Sequence, residues 1–127
     1  MDRETPVTNR DSLGDGRDRQ KSLVADYYES LDTHTYDQLE TLLHPDFVHE
    51  RPDMTLSGRD EFIRFMRDDR PNTDTSHPID TLYPADNSAE IAVRGRLLSA
   101  DDALITEFVD IFSFGGEQIE RIRTFTP

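Results

Sequence analysis

The chain has no cysteine and a single lysine, Lys21, among its 127 residues. Without cysteine there is no disulfide, no thiolate nucleophile and no cysteine-ligated metal. No apolar run is long enough to span a bilayer or to form the middle of a signal peptide. No cluster of lysine and arginine supplies the basic stripe that a phosphate backbone needs for counter-ion release. A soluble, cytoplasmic protein that engages neither membrane nor nucleic acid is therefore expected. The four histidines show no His-Glu-x-x-His or comparable ligand spacing, and Gly115 and Gly116 follow a strand instead of opening a helix that could cradle phosphate. No metal and no cofactor are expected, and no internal repeat or low-complexity tract interrupts the chain.

Acid is what the chain has in excess. Its 27 acidic residues against 14 basic ones give a net charge of −13, with 18 of the acids aspartate and 13 of the bases arginine. That is the surface chemistry of a protein made for concentrated salt. Short carboxylates hold water and counter-ions, self-repulsion is screened over about 3 Å at 1 M salt, and long apolar lysine stems are avoided. In dilute buffer the same charge pushes the fold apart. The plainer reading is an acidic protein of an ordinary cytoplasm, and composition alone leaves both open.

A length of 127 residues allows one domain with a real core. Residues 1–20 contain Pro6, Gly14, Gly16 and many charges, with only Val7 and Leu13 as bulky aliphatics. They bury too little to offset ordering entropy, and read as a flexible acidic arm or a short extension of the first helix. Residues 21–127 form the single domain. Leu23, Val24, Tyr27, Tyr28 and Leu31 recur at helical spacing. Thr35 and Gln38 make a capping box for a second helix that turns Leu39, Leu42 and Leu43 inward until Pro45 stops it. A short strand over 47–51 ends at Pro52. Ser57 or Gly58 then caps a third helix with Phe62, Ile63, Phe65 and Met66 inward, ending before Pro71. Strands follow over 77–83, 90–99, 104–114 and 118–125, punctuated by Asp86-Asn87, Asp101-Asp102 and Gly115-Gly116. Three helices and an antiparallel meander predict an α+β domain with its helices against one face of a curved sheet.

Period-two alternation along 104–114 puts Thr106, Phe108, Asp110, Phe112 and Phe114 on one face and Ile105, Glu107, Val109, Ile111 and Ser113 on the other. One acid thus sits among three phenylalanines, where desolvation raises its pKa and suits it to acid or base work. The plainer reading has Asp110 bonding a nearby backbone group or arginine, or facing solvent. Ile105, Val109 and Ile111 are too apolar for one solvated face, and a homodimer through the sheet is the expected use for them. Arg94 with Arg96, and Arg121 with Arg123, share strand faces pairwise and are expected to meet acids across the sheet.

The order of elements over residues 23–65, with the phrase LHPDFV at 43–48 and GRDEF at 58–62, resembles the NTF2-like superfamily in its SnoaL-like and ketosteroid-isomerase-like branch. The resemblance implies a cystatin-like cone of three N-terminal helices on a curved antiparallel or mixed sheet, with chemistry in one pocket. It sets Tyr27 at the oxyanion-hole tyrosine of the isomerase and Asp110, in the phrase VDIF, at the aspartic acid that shares that hole. The isomerase base position is occupied here by Arg51, which cannot take up a proton at neutral pH. Steroid-isomerase chemistry is therefore disfavoured unless the neighbouring Glu50 turns inward. SnoaL-like cyclases, which use a strand aspartate and no metal, are more similar. Limonene epoxide hydrolases place an arginine where Phe108 stands, which argues against that reaction; dehydratases of the scytalone type use a His and Asp pair that His49 or His77 could supply with Asp110.

Alternation groups Phe47, His49 and Arg51 on one face of their strand. The expected pocket therefore has Asp110, Tyr27 and His49 as catalytic residues and Arg51, Phe108, Phe112 and Met66 holding a small-molecule ligand. Each has a plainer reading: His49 as a locally satisfied side chain, Tyr27 as packing between helix and sheet. Two functions stand: a cofactor-independent isomerase, cyclase or dehydratase acting on an oxygen-rich carbonyl compound, and a non-catalytic ligand-binding or dimerisation module. The second expects phenylalanines and Met66 to fill the cavity.

Overall fold

The computed structural model describes residues 4–87 and 89–127, with side chains of the first helix from Gly16 onward. Helix α1 (Glu4–Asp32) carries the expected stripe, with Val24, Tyr27, Tyr28 and Leu31 all buried. It takes in residues 4–20, where the sequence leaves an arm or a helix extension open; residues 1–3 lie outside the described residues. His34, at φ 60°, turns the chain into α2 (Tyr36–Leu42), which buries Leu39 and Leu42.

The expected capping box does not form. Thr35 makes no side-chain cap bond, and its Oγ1 lies 2.7 Å from Thr33 Oγ1. Gln38 is drawn away by Ser30, whose buried hydroxyl lies 2.7 Å from Asp26 O and 2.9 Å from Gln38 Oε1. Strand β1 (Leu43–Glu50) begins earlier than expected and ends just before Arg51. A short β2 (Thr55–Ser57), not foreseen, folds back on it, so Gly58 and not Ser57 stands before α3 (Arg59–Arg64). Gly58 has φ +100° with open space around it, so backbone conformation alone calls for glycine there. The helix continues through one π-helical turn, Phe65–Asp69, and stops at Arg70 before Pro71.

The remaining strands are β3 (Ile79–Pro84), β4 (Glu90–Leu98), β5 (Leu104–Gly115) and β6 (Gln118–Phe125). Among the described residues this makes three α-helices on a six-stranded mixed sheet, ordered β2-β1-β6-β5-β4-β3. The last strand therefore sits inside the sheet, parallel to β1 and antiparallel to β5. Two irregularities shape this region. Pairing of β1 with β6 shifts between Leu43 and Val48, around Pro45, which has no N–H to give. Pairing of β5 with β6 shifts between Ser113 and Phe114, a bulge that leaves Glu120 over and lets both Ile119 and Ile122 face inward, fully buried.

The core lies between helices and sheet. Phe47, Phe62 and Phe112 are fully buried there, each ring stabilising the fold by roughly 1.5–3 kcal/mol. On the opposite face Val109 pairs with Phe125 across β5 and β6, both exposed, and Tyr83 is exposed as well; Ile105, expected there too, instead borders the cavity described below, at an irregularity in the pairing of β4 with β5. Three of the four strand arginines meet acids as expected at this surface, and Arg94 bonds a threonine hydroxyl instead. Arg96 meets Asp80 at 3.2 Å, Arg121 and Arg123 meet Glu50, and Arg94 donates to Thr81. Among the described residues no helix is long and apolar enough to cross a membrane.

Candidate functional site

Strand alternation brings Asp110 inward between Phe108 and Phe112, and all three are buried. Two hydroxyls hold its carboxylate. Tyr28 Oη donates to Oδ2 at 2.6 Å, and Thr124 Oγ1, directly opposite on β6, donates to Oδ1 at 2.5 Å. Burial raises the pKa of Asp110 above the ordinary carboxylate value, while the bonds from Thr124 and Tyr28 and the nearby His77 work against that rise. The tyrosine bonded to Asp110 is Tyr28, the neighbour of Tyr27, which the resemblance sets in the same oxyanion hole as Asp110. The two are adjacent on the buried stripe of α1, and their rings meet edge to face at 5.1 Å.

Tyr27 packs against Phe62 and Phe112. Its hydroxyl has no hydrogen-bond partner among the described residues, and the residue lines the cavity described below. Burial, then the charge of Asp110, push its pKa well up, so it stays a neutral donor. His49, on β1, is buried with its ring edge against Phe62, and its Nε2 lies 2.8 Å from Thr124 Oγ1. Its Nδ1 is buried without a partner. Burial, with Arg51 adding to it, pushes the imidazole pKa down to about 3.

These groups border a cavity of about 650 Å³ between α1, the π-helical turn and the sheet. Tyr27, Tyr28, His49, Arg51, Met66, Phe108 and Asp110 all line it, so the structure brings together every expected site residue except one. The exception is Phe112. Its ring is fully buried against Tyr27, Tyr28 and Phe114, and it stands behind the wall because the two tyrosines cover it. The cavity stays open although Phe108 and Met66 border it, contrary to the filled core expected of a module without a ligand. Phe108 is fixed from below by Gly95, where a Cβ would stand 2.7 Å from its Cζ and 2.9 Å from the Pro78 oxygen.

Arg51 is tied by Nε and Nη2 to Asp53, 3.2 Å in each case, and lies over the Phe65 ring. Glu50 does not turn inward, since it faces Arg121 and Arg123 on the outer side. Residues outside the expected site line the cavity too, Thr124, Tyr28 and Arg70 among them. Thr124 and Tyr28 hold Asp110, and Arg70 follows the π-helical turn. Arg70 donates from Nε to Met66 O at 2.8 Å and from Nη2 to Leu31 O and Tyr36 Oη, with no acid paired to it among the described residues. His77, weighed as a partner for Asp110, instead gives Nδ1 to Asp32 at 2.6 Å and lays its ring beside Tyr28. Among the described residues no group of three His, Cys, Asp or Glu is placed to hold a metal.

A family model of the SnoaL-like domain matches residues 24–122. Among solved structures, a candidate ketosteroid isomerase from Kribbella flavida is 20% identical over 87% of this chain and 78% of its own, with a TM-score of 0.75. A protein of unknown function with a cystatin-like fold from Methylobium petroleophilum is 18% identical over 87% and 76%, at 0.76. A candidate SnoaL-like polyketide cyclase from Jannaschia is 13% identical over 85% of each chain, at 0.70. No curated protein matches the chain.

Proposed function

The chain belongs to the SnoaL-like family, and from that premise we propose that it is a cofactor-independent enzyme of the isomerase, cyclase or dehydratase type. Its substrate is a small oxygen-rich carbonyl compound, and its chemistry is acid/base transfer at Asp110. One observation carries the reading: a buried carboxylate of raised pKa borders an open cavity that a free tyrosine hydroxyl also lines. With both oxygens already accepting a bond, the geometry fits the ionised form, a base stronger than an exposed aspartate.

In this reading Asp110 takes a proton from the carbon next to the carbonyl, and the C–H electron pair becomes an enolate. Tyr27 Oη donates to the oxygen that gains the charge, which is worth most in a site closed to water. Arg51 orients a second oxygen of the substrate, and Met66 and Phe108 supply apolar walls. The proton returns to carbon or to a leaving oxygen, so no metal or cofactor is called for. Asp110 thereby assumes the base role that Arg51 cannot fill. The test is deuterium exchange in a panel of small carbonyl compounds in D2O, followed by NMR. Exchange that vanishes in Asp110→Asn supports the reading. Binding without exchange across the panel, or exchange unchanged in Asp110→Asn, favours the ligand-binding module instead.

A homodimer through the outer face of the sheet belongs to the same proposal, because Val109 and Phe125, paired across β5 and β6, are exposed together there. Sedimentation should give a dimer that Val109→Asp converts to a monomer; a wild-type monomer at micromolar concentration would refute it. Cytoplasmic location and adaptation to high salt complete the reading and rest on the composition.

A further inference from the structure

Two arginines line the cavity, and they differ in their company. Arg51 is matched by Asp53, whereas Arg70 has no acid paired to it among the described residues. We propose that Arg70 is a carboxylate-binding residue and the substrate an oxo acid, whose carboxylate rests on Nη1 while its ketone oxygen meets Tyr27 and its acidic C–H bond meets Asp110. This rests on the acid/base reading above and deepens it by naming the substrate's second group.

The π-helical turn is what aims this side chain. In an α-helix the N–H of residue 70 would bond the carbonyl of Met66. Here it reaches one residue further back, to Phe65 O at 2.9 Å, which leaves Met66 O free. Arg70 Nε takes that carbonyl at 2.8 Å, and Tyr36 Oη donates to it as well, at 3.3 Å. Nη2 donates to Leu31 O at 3.3 Å and to Tyr36 Oη at 3.0 Å. These bonds engage Nε and Nη2, and the two hydrogens of Nη1 have no protein partner among the described residues. Nor is Nη1 shut in. The buried side-chain nitrogens without a partner, among the described residues, are His49 Nδ1 and Arg59 Nε, so Nη1 keeps accessible surface. A guanidinium held by three bonds and open at one nitrogen is ordered before a ligand arrives, which limits the entropy lost on binding.

Charge sets the groups in order. Burial and then Asp110 raise the pKa of Tyr27, and the charges of Arg70 and then Arg51 work against that rise. Among the charges that shift Asp110, His77 appears and Arg70 does not. Tyr27 is therefore within reach of both Asp110 and Arg70, which are not within reach of each other. A 2-oxo acid carries its groups in the same order, with carboxylate, ketone and the C–H bond that the ketone acidifies on successive carbons. The chain as a whole, with a net charge of −13, repels such a guest, so an unmatched cation inside the cavity is what lets an anion settle there. The carboxylate itself does not react. Asp110 takes the proton, the C–H electron pair forms the C=C bond of the enolate, and the ketone π pair moves to the oxygen held by Tyr27.

The test sets 2-oxopentanoate and 2-oxo-4-phenylbutanoate against their primary amides, which are neutral and of the same size. Binding to the intact chain is followed by NMR titration, with deuterium exchange at C3 in D2O as a second readout. Wild type should bind each acid about tenfold to a hundredfold more tightly than its amide, the worth of one hydrogen bond to a charged group. Arg70→Gln should remove that preference by weakening the acid alone, and unchanged binding of the amide shows that its cavity is intact. Arg51→Gln should keep the preference. No binding by either acid, an acid bound no better than its amide, or a preference that survives Arg70→Gln or vanishes in Arg51→Gln overturns the subsite. If Arg70→Gln fails to fold, the wild-type comparison and Arg51→Gln decide. The enzyme reading fails separately: acids held through Arg70 without exchange uphold the subsite and remove the carbonyl chemistry. Binding and exchange that are equal in acids and amides, and an exchange that needs Asp110, do the reverse.

Discussion

Replacing Tyr28 with phenylalanine removes one oxygen and leaves the ring contacts with Phe108, Phe112 and His77 in place. What is lost is the 2.6 Å bond to Asp110 Oδ2, after which Thr124 is the only hydroxyl holding the carboxylate among the described residues. A hydrogen bond to a charged group is worth about 1.5–3 kcal/mol and one to a neutral group about 0.5–1.5 kcal/mol. The penalty of Tyr28→Phe should therefore be near the first range where Asp110 is ionised and near the second where it is protonated. Burial holds the folded pKa of Asp110 above its unfolded value of 3.8. Its contribution to stability is thus fully present below the unfolded value and is lost as pH rises through the folded one. Removing the Tyr28 bond raises the folded value further, so the variant should lose more than the wild type across that window. Urea unfolding of both proteins from pH 4 to 8 tests this, because subtraction cancels the distant acids they share. The expected difference grows by about 1–1.5 kcal/mol from acid to neutral pH. A penalty that is flat with pH, or greater in acid, would refute the assignment of Tyr28 as the group that holds the Asp110 carboxylate.

Gly95→Ala should cost about 1–3 kcal/mol by overpacking, since its Cβ meets the Phe108 ring and the Pro78 carbonyl; thermal unfolding checks it, and an unchanged midpoint would mean that Phe108 is free to move. With a net charge of −13, the thermal midpoint should rise by about 5 °C or more between dilute buffer and 1 M KCl, roughly one kcal/mol for a domain of this size. A flat response would leave the composition without the salt-adapted meaning proposed for it.

Much of this arrangement was legible in advance, and the parts that were not share a cause. Alternation along β5 turned Phe108, Asp110 and Phe112 inward because one face of that strand is buried through its middle. The stripe on α1 located both tyrosines, but neighbours 100° apart on a helix can both belong to a broad buried face, and spacing does not say whose hydroxyl reaches Asp110. Thr124 was hidden for another reason. Counting back from the Gly115–Gln118 pair in strict register sets Arg123 opposite Asp110; the bulge moves the count by one and brings Thr124 there. Its trace in the sequence is the odd spacing of Ile119 and Ile122, which plain alternation cannot bury together. The π-helical turn before Arg70 left no comparable trace. Nor did the pull of Ser30 on Gln38, a contact made between two helices, which a local capping pattern cannot register.

That bulge also sets how this pocket can change over evolutionary time. Loss of the single codon for Glu120 would restore strict register in β6 and still leave Thr124 opposite Asp110, because the residues on either side of the bulge keep their partners. The same deletion would set Ile119 and Ile122 two positions apart, on one strand face, so both would stay in the core. The bulge thus absorbs a frame-preserving deletion without disturbing the site, and point mutation of Thr124 itself is what changes the partner of the carboxylate.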